Sequence, residues 1–449
     1  MGASGLRLGR AARSRRQKRR GAVRSVSLSH LDQSVRLRKF LHQRGFTSTL
    51  LQPAHFTDTG RGLQTLQNIK PGEMIISLPE SCLLTTTTVL NSYLGSFIKS
   101  WRHPLSPLLV LCVFLVCERH RGEASDWFPY ISALPTTYTC PAYFSDMVVE
   151  VLPAAVRRRA VEQREAVRDM HSSNQDFFRS LQLVLSRPVQ EVLTYEALRW
   201  AWCSVNTRSV FMSRPSNDFL SGQDNYALAP FLDLLNHQPD LQVTAGFNDQ
   251  TRCYEIRSVS GMKRYQQAFI NYGCHDNQRL LLEYGFVATN NPHSVVYVET
   301  DLLCDVLRGD KSLDQKIKFL RENQFLHNLT VSSEGPSWRL MTALRLLSLS
   351  QTQFHLWKAA LLGQLLCEHT EEWSVHTART ICQQLLSDTH TALHKISLLL
   401  HRCEQPIREQ LDVVRLLRQE EGSILQSCLQ TLEGSVQQAH TTPDVGAVR

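Results

Sequence analysis

The chain has 449 residues, room for two or three domains, and its 42% hydrophobic and 20% charged content is ordinary for a globular protein. Its formal charge of +8 overstates its basicity, because nine of the 49 Lys and Arg fall in the first 24 positions, leaving 40 basic residues against 41 acidic ones. That balance excludes a whole-surface electrostatic case for nucleic-acid binding, and twelve cysteines without a Cys-x-x-Cys predict reduced thiols in an intracellular protein rather than a disulfide framework or a zinc site.

Residues 1–27 read as a disordered basic arm. Its run Arg13-Ser-Arg-Arg-Gln-Lys-Arg-Arg20 suits a nuclear-import address or a contact with an acidic partner, and an Arg-rich, acid-free start also suits a mitochondrial transit peptide or a solvated tail. Leu6 stands where a myristoylation signal needs Ser or Thr. A short amphipathic helix is expected from Leu28 to Gln43, with Leu31, Val35, Leu37, Phe40 and Leu41 as its apolar members. Strand and turn text follows between Pro53 and Pro79: Gly60-Arg-Gly-Leu63, a Pro71-Gly72 turn, then Met74 to Leu78.

From about 86 to 207 the pattern turns helical. Leu108 to Cys117 is the most apolar run, but it is about half the length a bilayer requires and reads as a buried helix. Further helices are expected over Ala154 to Met170, Asn174 to Leu185 and Tyr195 to Val205, the last with Leu198, Trp202 and Val205 on one face. Strands return from Leu241 to Asn271, including Gln242 to Phe247 and Thr251 to Arg257 around Asn248-Asp249. Beyond Asp301 the chain is helical again: Ser337 is a candidate N-cap before Leu340, Leu344 and Leu347, and Ile407, Leu411, Val414 and Leu417 repeat one face.

Two segments carry chemistry. Pro230-Phe-Leu-Asp-Leu-Leu-Asn-His237 offers an amide and an imidazole to a polar ligand, and Phe269-Ile-Asn-Tyr-Gly273 sets a phenol before a glycine turn, with Asn271 lying 35 positions after Asn236. This ordered pair resembles a SET domain. With a helical block inserted before the Asn-His segment, the chain is similar to the split-SET group, which includes the Rubisco large-subunit lysine methyltransferase and its animal relatives. The resemblance implies an α+β fold: a SET-domain β-fold of small twisted sheets with a helical insertion, followed by an all-α C-terminal substrate-binding domain. The division it implies is a SET domain over 28–300, split by an insertion at about 86–207, a helical Rubisco-methyltransferase-type domain over 301–433 and a disordered tail over 434–449.

The same resemblance implies S-adenosyl-L-methionine as cofactor and a protein-lysine N-methyltransferase acting on histone and possibly other lysines. Tyr272 would be the catalytic tyrosine and also touch the cofactor. Thr59, Gly60 and Arg61 take the place of the family's first cofactor loop, Arg208 that of the arginine on the cofactor carboxylate, and Asp233, Asn236 and His237 those of the adenosine and methionine contacts. Tyr284 and Phe286 would wall the lysine channel and pack on the cofactor, and apolar Val210 would flank the lysine stem. Chromatin SET enzymes often carry zinc-binding cysteine clusters, which this sequence lacks, so no metal is expected. The expected partner is a protein, a histone tail or another lysine-bearing chain, with no nucleic acid on the folded part, no membrane and a monomeric state, in the nucleus and cytoplasm. A non-catalytic SET-fold peptide binder and a protein-histidine methyltransferase are the alternatives. One departure bears on a turn: relatives have Gly-Glu before the strand leading to the tyrosine, where this chain reads Arg264-Tyr-Gln-Gln-Ala-Phe-Ile270.

Overall fold

A computed structural model describes residues 25–439, so most of the basic arm and the last ten residues lie outside the described part. The described chain combines helices with small sheets, an α+β architecture. It divides into two compact units: Met170–Gly273 with the described part of Met1–Thr136, and Thr137–Asp169 with the described part of Cys274–Arg449.

The first unit is built on ten short strands. β1 (Ser25–Ser27), β2 (Leu51–Phe56), β3 (Gly60–Thr65), β10 (Gln267–Ile270) and β7 (Asn236–His237) form one sheet in that order. β4 (Met74–Pro79), β9 (Cys253–Ser258) and β8 (Val243–Asn248) form a second, and β5 (Ser209–Phe211) pairs with β6 (Tyr226–Leu228). β2 and β3 make a hairpin whose register runs from Leu51↔Thr65 to Phe56↔Gly60. Only three residues join the strands, and Gly60 takes the positive φ of 70° that such a loop demands at low steric cost.

The expected arm ended too late: Ser25, Val26 and Ser27 pair with Phe56, His55 and Ala54, satisfying backbone groups on the free edge of β2. The first helix begins later than expected, at Asp32, and buries Leu37, Phe40 and Leu41. Leu31 and Val35 are exposed instead, Val35 because a position two residues from Leu37 points to the opposite side of a 3.6-residue turn. Strands β4, β8 and β9 lie within a residue or two of expectation, and Asn248 Oδ1 accepts from the Gln250 and Thr251 N–H groups at 3.0 and 3.3 Å in the turn between β8 and β9.

Helical text in the insertion becomes a set of helices from Thr86–Leu90 to Tyr195–Arg208. The apolar run lies in Pro107–Arg121, capped by Ser106 Oγ, which accepts from Leu109 N at 3.2 Å, with Pro107 at the first helical position. Every residue from Leu109 to Glu118 is buried, and the Glu118 carboxylate is met by Arg121 and by the Ser125 hydroxyl at 3.0 and 2.5 Å. No described helix is long and apolar enough to cross a membrane. The stretch from Asn174 to Leu185 is broken into Gln175–Ser180 and a 3-10 turn, Leu181–Val184, so one regular helix was too simple a reading there.

The second unit explains why its pieces are distant in sequence. Phe144, Val148, Leu152 and Val156 share a core with Leu281, Leu282, Leu411, Val414 and Leu417, so a stretch of the insertion belongs with the C-terminal helices. The packing therefore divides the chain differently from the linear boundary at 300. Glu368–Leu400 and Ile407–Ala439 are helices of 33 residues each, and Trp338–Ser348 starts where Ser337 Oγ accepts from Leu340 N at 3.2 Å. β11 (Val296–Tyr297), β12 (Thr330–Ser332) and β13 (Gly335–Pro336) form a small sheet, the last two strands lying in the part expected to be all helix. The last helix also runs past 433 to Ala439, because Gly434 alone does not stop a helix and the first proline is Pro443.

Glu421 is buried in this unit, accepting from Gln278 Nε2 at 3.0 Å and lying 3.7 Å from Arg418. Burial pushes its carboxyl up to about 7, against the pull of Arg418 and the Gln278 bond. A carboxyl raised on folding contributes stability fully present below its unfolded pKa and lost as pH rises through about 7. Glu421→Gln keeps an acceptor for Gln278 without that charge. Denaturant titrations should show the variant gaining on the native chain between pH 5 and pH 8, by on the order of 2 kcal/mol. Parallel stability curves would show that Glu421 does not titrate in this window.

Candidate active site

β10 changes partner halfway along its four residues. Gln267 and Ala268 pair antiparallel with Gln64 and Leu63 of β3, whereas Phe269 and Ile270 pair parallel with Asn236 and His237 of β7. The two halves of the sequence motif therefore lie side by side as adjacent strands.

Side chains complete the junction. Asn236 Nδ2 donates to the Arg61 carbonyl at 3.0 Å, tying β7 to the Gly60-Arg61-Gly62 segment. His237 Nδ1 accepts from the Tyr272 backbone N–H at 3.0 Å, which assigns the neutral ring's proton to Nε2 and makes that nitrogen a donor. The two rings are 5.2 Å apart between centroids. The Tyr272 hydroxyl donates to the Leu235 carbonyl at 2.6 Å, so its oxygen lone pairs are what it can offer a ligand. Asn271 braces the turn, donating to the Pro239 carbonyl at 2.7 Å and accepting from Gly273 N at 2.8 Å.

Gly62 leaves space for two side-chain amides. A Cβ there would lie 2.9 Å from Asn236 Nδ2 and 2.7 Å from Gln267 Nε2. Thr59 donates its hydroxyl to Gln267 Oε1 at 2.8 Å. The motif run contained Gly62, but nothing in it marked Gln267.

A narrow cleft is bordered by Arg61, Gly62, Tyr130, Ala133, Arg208 and Asp233. Arg208 ends helix Tyr195–Arg208, where its guanidinium pairs with Asp233 Oδ2 at 3.2 Å and donates to the Asp233 carbonyl at 3.3 Å. Tyr130 donates to the same carboxylate at 3.1 Å. Burial raises the Asp233 carboxyl above its ordinary value, opposed by Arg208, Tyr130 and Arg61. Asp233 is reached through a strained turn: Phe231 takes φ 73° and ψ −47°, a high-energy conformation for a bulky residue, held by packing on the Phe46 ring 5.4 Å away.

The predicted residues are thus gathered unequally. Arg61, Arg208 and Asp233 border one cleft, Gly60 shapes the hairpin leading to it, and Asn236, His237 and Tyr272 form the adjoining strand junction. Val210 is half-buried on β5 opposite Ala227 and is not among the residues bordering that cleft. Tyr284 and Phe286 belong to the second compact unit, where their ring centroids lie 6.3 Å apart and His275 stacks on Tyr284 at 6.0 Å. Gly285 between them has φ 79°, and a Cβ there would meet Cys140 N at 2.9 Å. Tyr130 was missed because nothing in its surroundings distinguishes it from a core aromatic. Among the described residues no three His, Cys, Asp or Glu side chains gather as metal ligands.

Residues 60–273 match the model of the SET domain, and residues 308–425 match that of the Rubisco LSMT substrate-binding domain. SET domain-containing protein 4 of Mus musculus is 47% identical over 95% of this chain and 98% of its own length. This chain belongs to the SET-domain family. A more distant relative is the actin-histidine N-methyltransferase of Gallus gallus, 29% identical over 58% of this chain and 43% of that protein. The solved SET domain of LSMT bound to lysine and AdoHcy aligns with a TM-score of 0.64 over 93% of this chain and 97% of that one, and at 19% identity the likeness speaks for the fold.

Against this SET framework the Arg264 to Ile270 departure has a local answer. Tyr265 takes a left-handed φ of 67° while its N–H donates to the Thr65 carbonyl at 2.9 Å. Its exposed ring lies under the Arg264 guanidinium at 4.4 Å and supports little else. Relief of the left-handed strain should exceed the entropy that glycine adds to the unfolded chain, so Tyr265→Gly is expected to stabilise by about 1 kcal/mol and Tyr265→Ala to bring no gain. Equal unfolding midpoints for the two variants would show that this φ carries no strain.

Proposed function

We propose that this SET-domain protein is an S-adenosylmethionine-dependent protein-lysine N-methyltransferase. The observation that carries the reading is the junction of Asn236-His237 with Tyr272, in which backbone pairing and the His237 bond hold amide, imidazole and phenol together.

The donor set suits the cofactor. Arg208 offers a guanidinium fork to a carboxylate at the edge of a cleft that Arg61 and Asp233 also line, and Thr59, Gly60, Asn236 and His237 are proposed to add backbone and polar side-chain contacts from the hairpin and the strand junction. When bound, S-adenosylmethionine supplies an electrophilic methyl group on a sulfonium, so the protein has to position, desolvate and deprotonate. Tyr272, with its proton committed to Leu235, presents lone pairs suited to an amine N–H. A target lysine must shed a proton before it has a nucleophilic lone pair, and a dry channel favours the neutral amine. In this proposal Val210 flanks the lysine stem, and the paired rings of Tyr284 and Phe286 are proposed separately as aromatic channel residues.

Histone tails and other nuclear or cytosolic proteins are the proposed substrates, and Arg13 to Arg20 the proposed import address. Modification of a histidine is the second reading, favoured by the 29% identity to an actin-histidine N-methyltransferase.

Full-length protein incubated with labelled cofactor and nuclear or cytosolic extract should mark lysine, located by mass spectrometry; label on histidine would select the second reading. Asn236→Ala strips an amide from the junction and should weaken cofactor binding roughly 5- to 150-fold, from about 1–3 kcal/mol. Tyr272→Phe should instead slow single-turnover methylation on the order of 10²-fold with little change in cofactor affinity. A Tyr272→Phe enzyme as fast as the native one would remove Tyr272 from the reaction.

A further inference from the structure

The inserted helical block reaches the cleft through one short segment. Helix Phe128–Ile131 carries Tyr130, which is 1% exposed, and the Ala133 carbonyl two residues after that helix accepts from Arg61 at 2.8 Å. Tyr130 donates to Asp233 Oδ2, the same oxygen that holds the Arg208 guanidinium. The insertion thus touches the residues bordering the cleft at two points, at Arg61 of β3 and at the Arg208–Asp233 ion pair.

We infer that Tyr130 is a positioning residue of the cofactor site, acting through Asp233 to hold Arg208 in place. The inference rests on the proposed cofactor reading and adds to it a part of the insertion for which the sequence assigned no role.

The physical argument concerns one carboxylate. Asp233 is almost wholly buried, and burial favours its neutral form, which would release Arg208. Three groups oppose this: Arg208 at the end of its helix, Tyr130 from the insertion and Arg61 from β3. Arg208 and Arg61 act by charge. Tyr130 supplies a neutral donor that stabilises the carboxylate without repelling the guanidinium sharing the oxygen. Its ring packs in the core, so the hydroxyl can be removed with the ring kept.

Removing that hydroxyl raises the Asp233 pKa further, so the Asp233–Arg208 pair is lost at a higher pH as the solution is acidified. Arg208 then swings more freely, and a ligand carboxylate meets a less ordered fork. Tyr130→Phe should bind S-adenosylmethionine roughly 5- to 10-fold more weakly at neutral pH, with a deficit that grows below it. Turnover at saturating cofactor should stay within about twofold, because Tyr130 acts on binding and not on the reacting atoms.

The test is calorimetry of the full-length native, Tyr130→Phe and Arg208→Lys proteins with S-adenosylmethionine from pH 5.5 to 8.5, alongside a carboxyl-carbon NMR titration of Asp233 without cofactor. An Asp233 titration displaced upward in Tyr130→Phe, with the predicted pH-dependent loss of affinity, supports the inference. Unchanged affinity and titration overturn it, as does an equal fall in affinity and turnover at every pH, the mark of a merely loosened fold. If the native protein binds no cofactor but the Asp233 titration moves upward in Tyr130→Phe, the cofactor reading fails while the coupling of Tyr130 to Asp233 stands.

Discussion

The fold of the first unit depends on the change of partner along Gln267–Ile270. The strand's first two residues pair with β3 and its last two with β7, so one short strand ties both neighbours into the sheet. Backbone hydrogen bonding is obligatory in a buried sheet, and this division fixes three remote segments in register. A one-residue slip would reverse which side of β7 the Asn236 and His237 side chains face. Gly62 leaves room for the Asn236 amide, which a Cβ there would crowd at 2.9 Å and oblige to shift.

Around that junction the site is assembled from groups that constrain one another. The Tyr272 N–H sets the His237 tautomer, the Leu235 carbonyl accepts the Tyr272 hydroxyl's hydrogen bond, and Asn271 pins the turn that follows. The Arg208–Asp233 pair is costly in isolation, since a buried carboxylate loses its hydration. Its persistence requires the added donors that the insertion and β3 bring near it. Strain at Phe231 is of the same kind: a local conformation of high energy, tolerated because the surrounding packing over-determines it, lying two residues before Asp233.

Elements with a strong local signature were legible from the residues alone. Ser106-Pro107 before an apolar run, Ser337 before Leu340, Leu344 and Leu347, and the face Leu411, Val414 and Leu417 all lie where capping and periodicity place them. Elements held by tertiary partners were not: β1 exists because β2 has a free edge, and the hairpin of β12 and β13 interrupts a stretch that reads as helix. The candidate site divides the same way. Asn236, His237 and Tyr272 announced themselves by residue type and order, whereas Tyr130 and Gln267 are ordinary in the sequence and acquire their roles from what lies beside them.

By itself the sequence determined the family, the types of chemical group available and the order in which they occur, because these reside in short motifs whose local geometry follows from Gly, Asn, His and Tyr. Only the tertiary structure decided that strand β10 serves two partners, that residues 137–169 share a core with the C-terminal helices, and that a tyrosine of the insertion meets the Arg208–Asp233 pair. The physical reason is separation along the chain. Hydrogen bonds and apolar contacts spanning a hundred or more residues depend on how the rest of the chain folds, and no local pattern of propensity or periodicity encodes them.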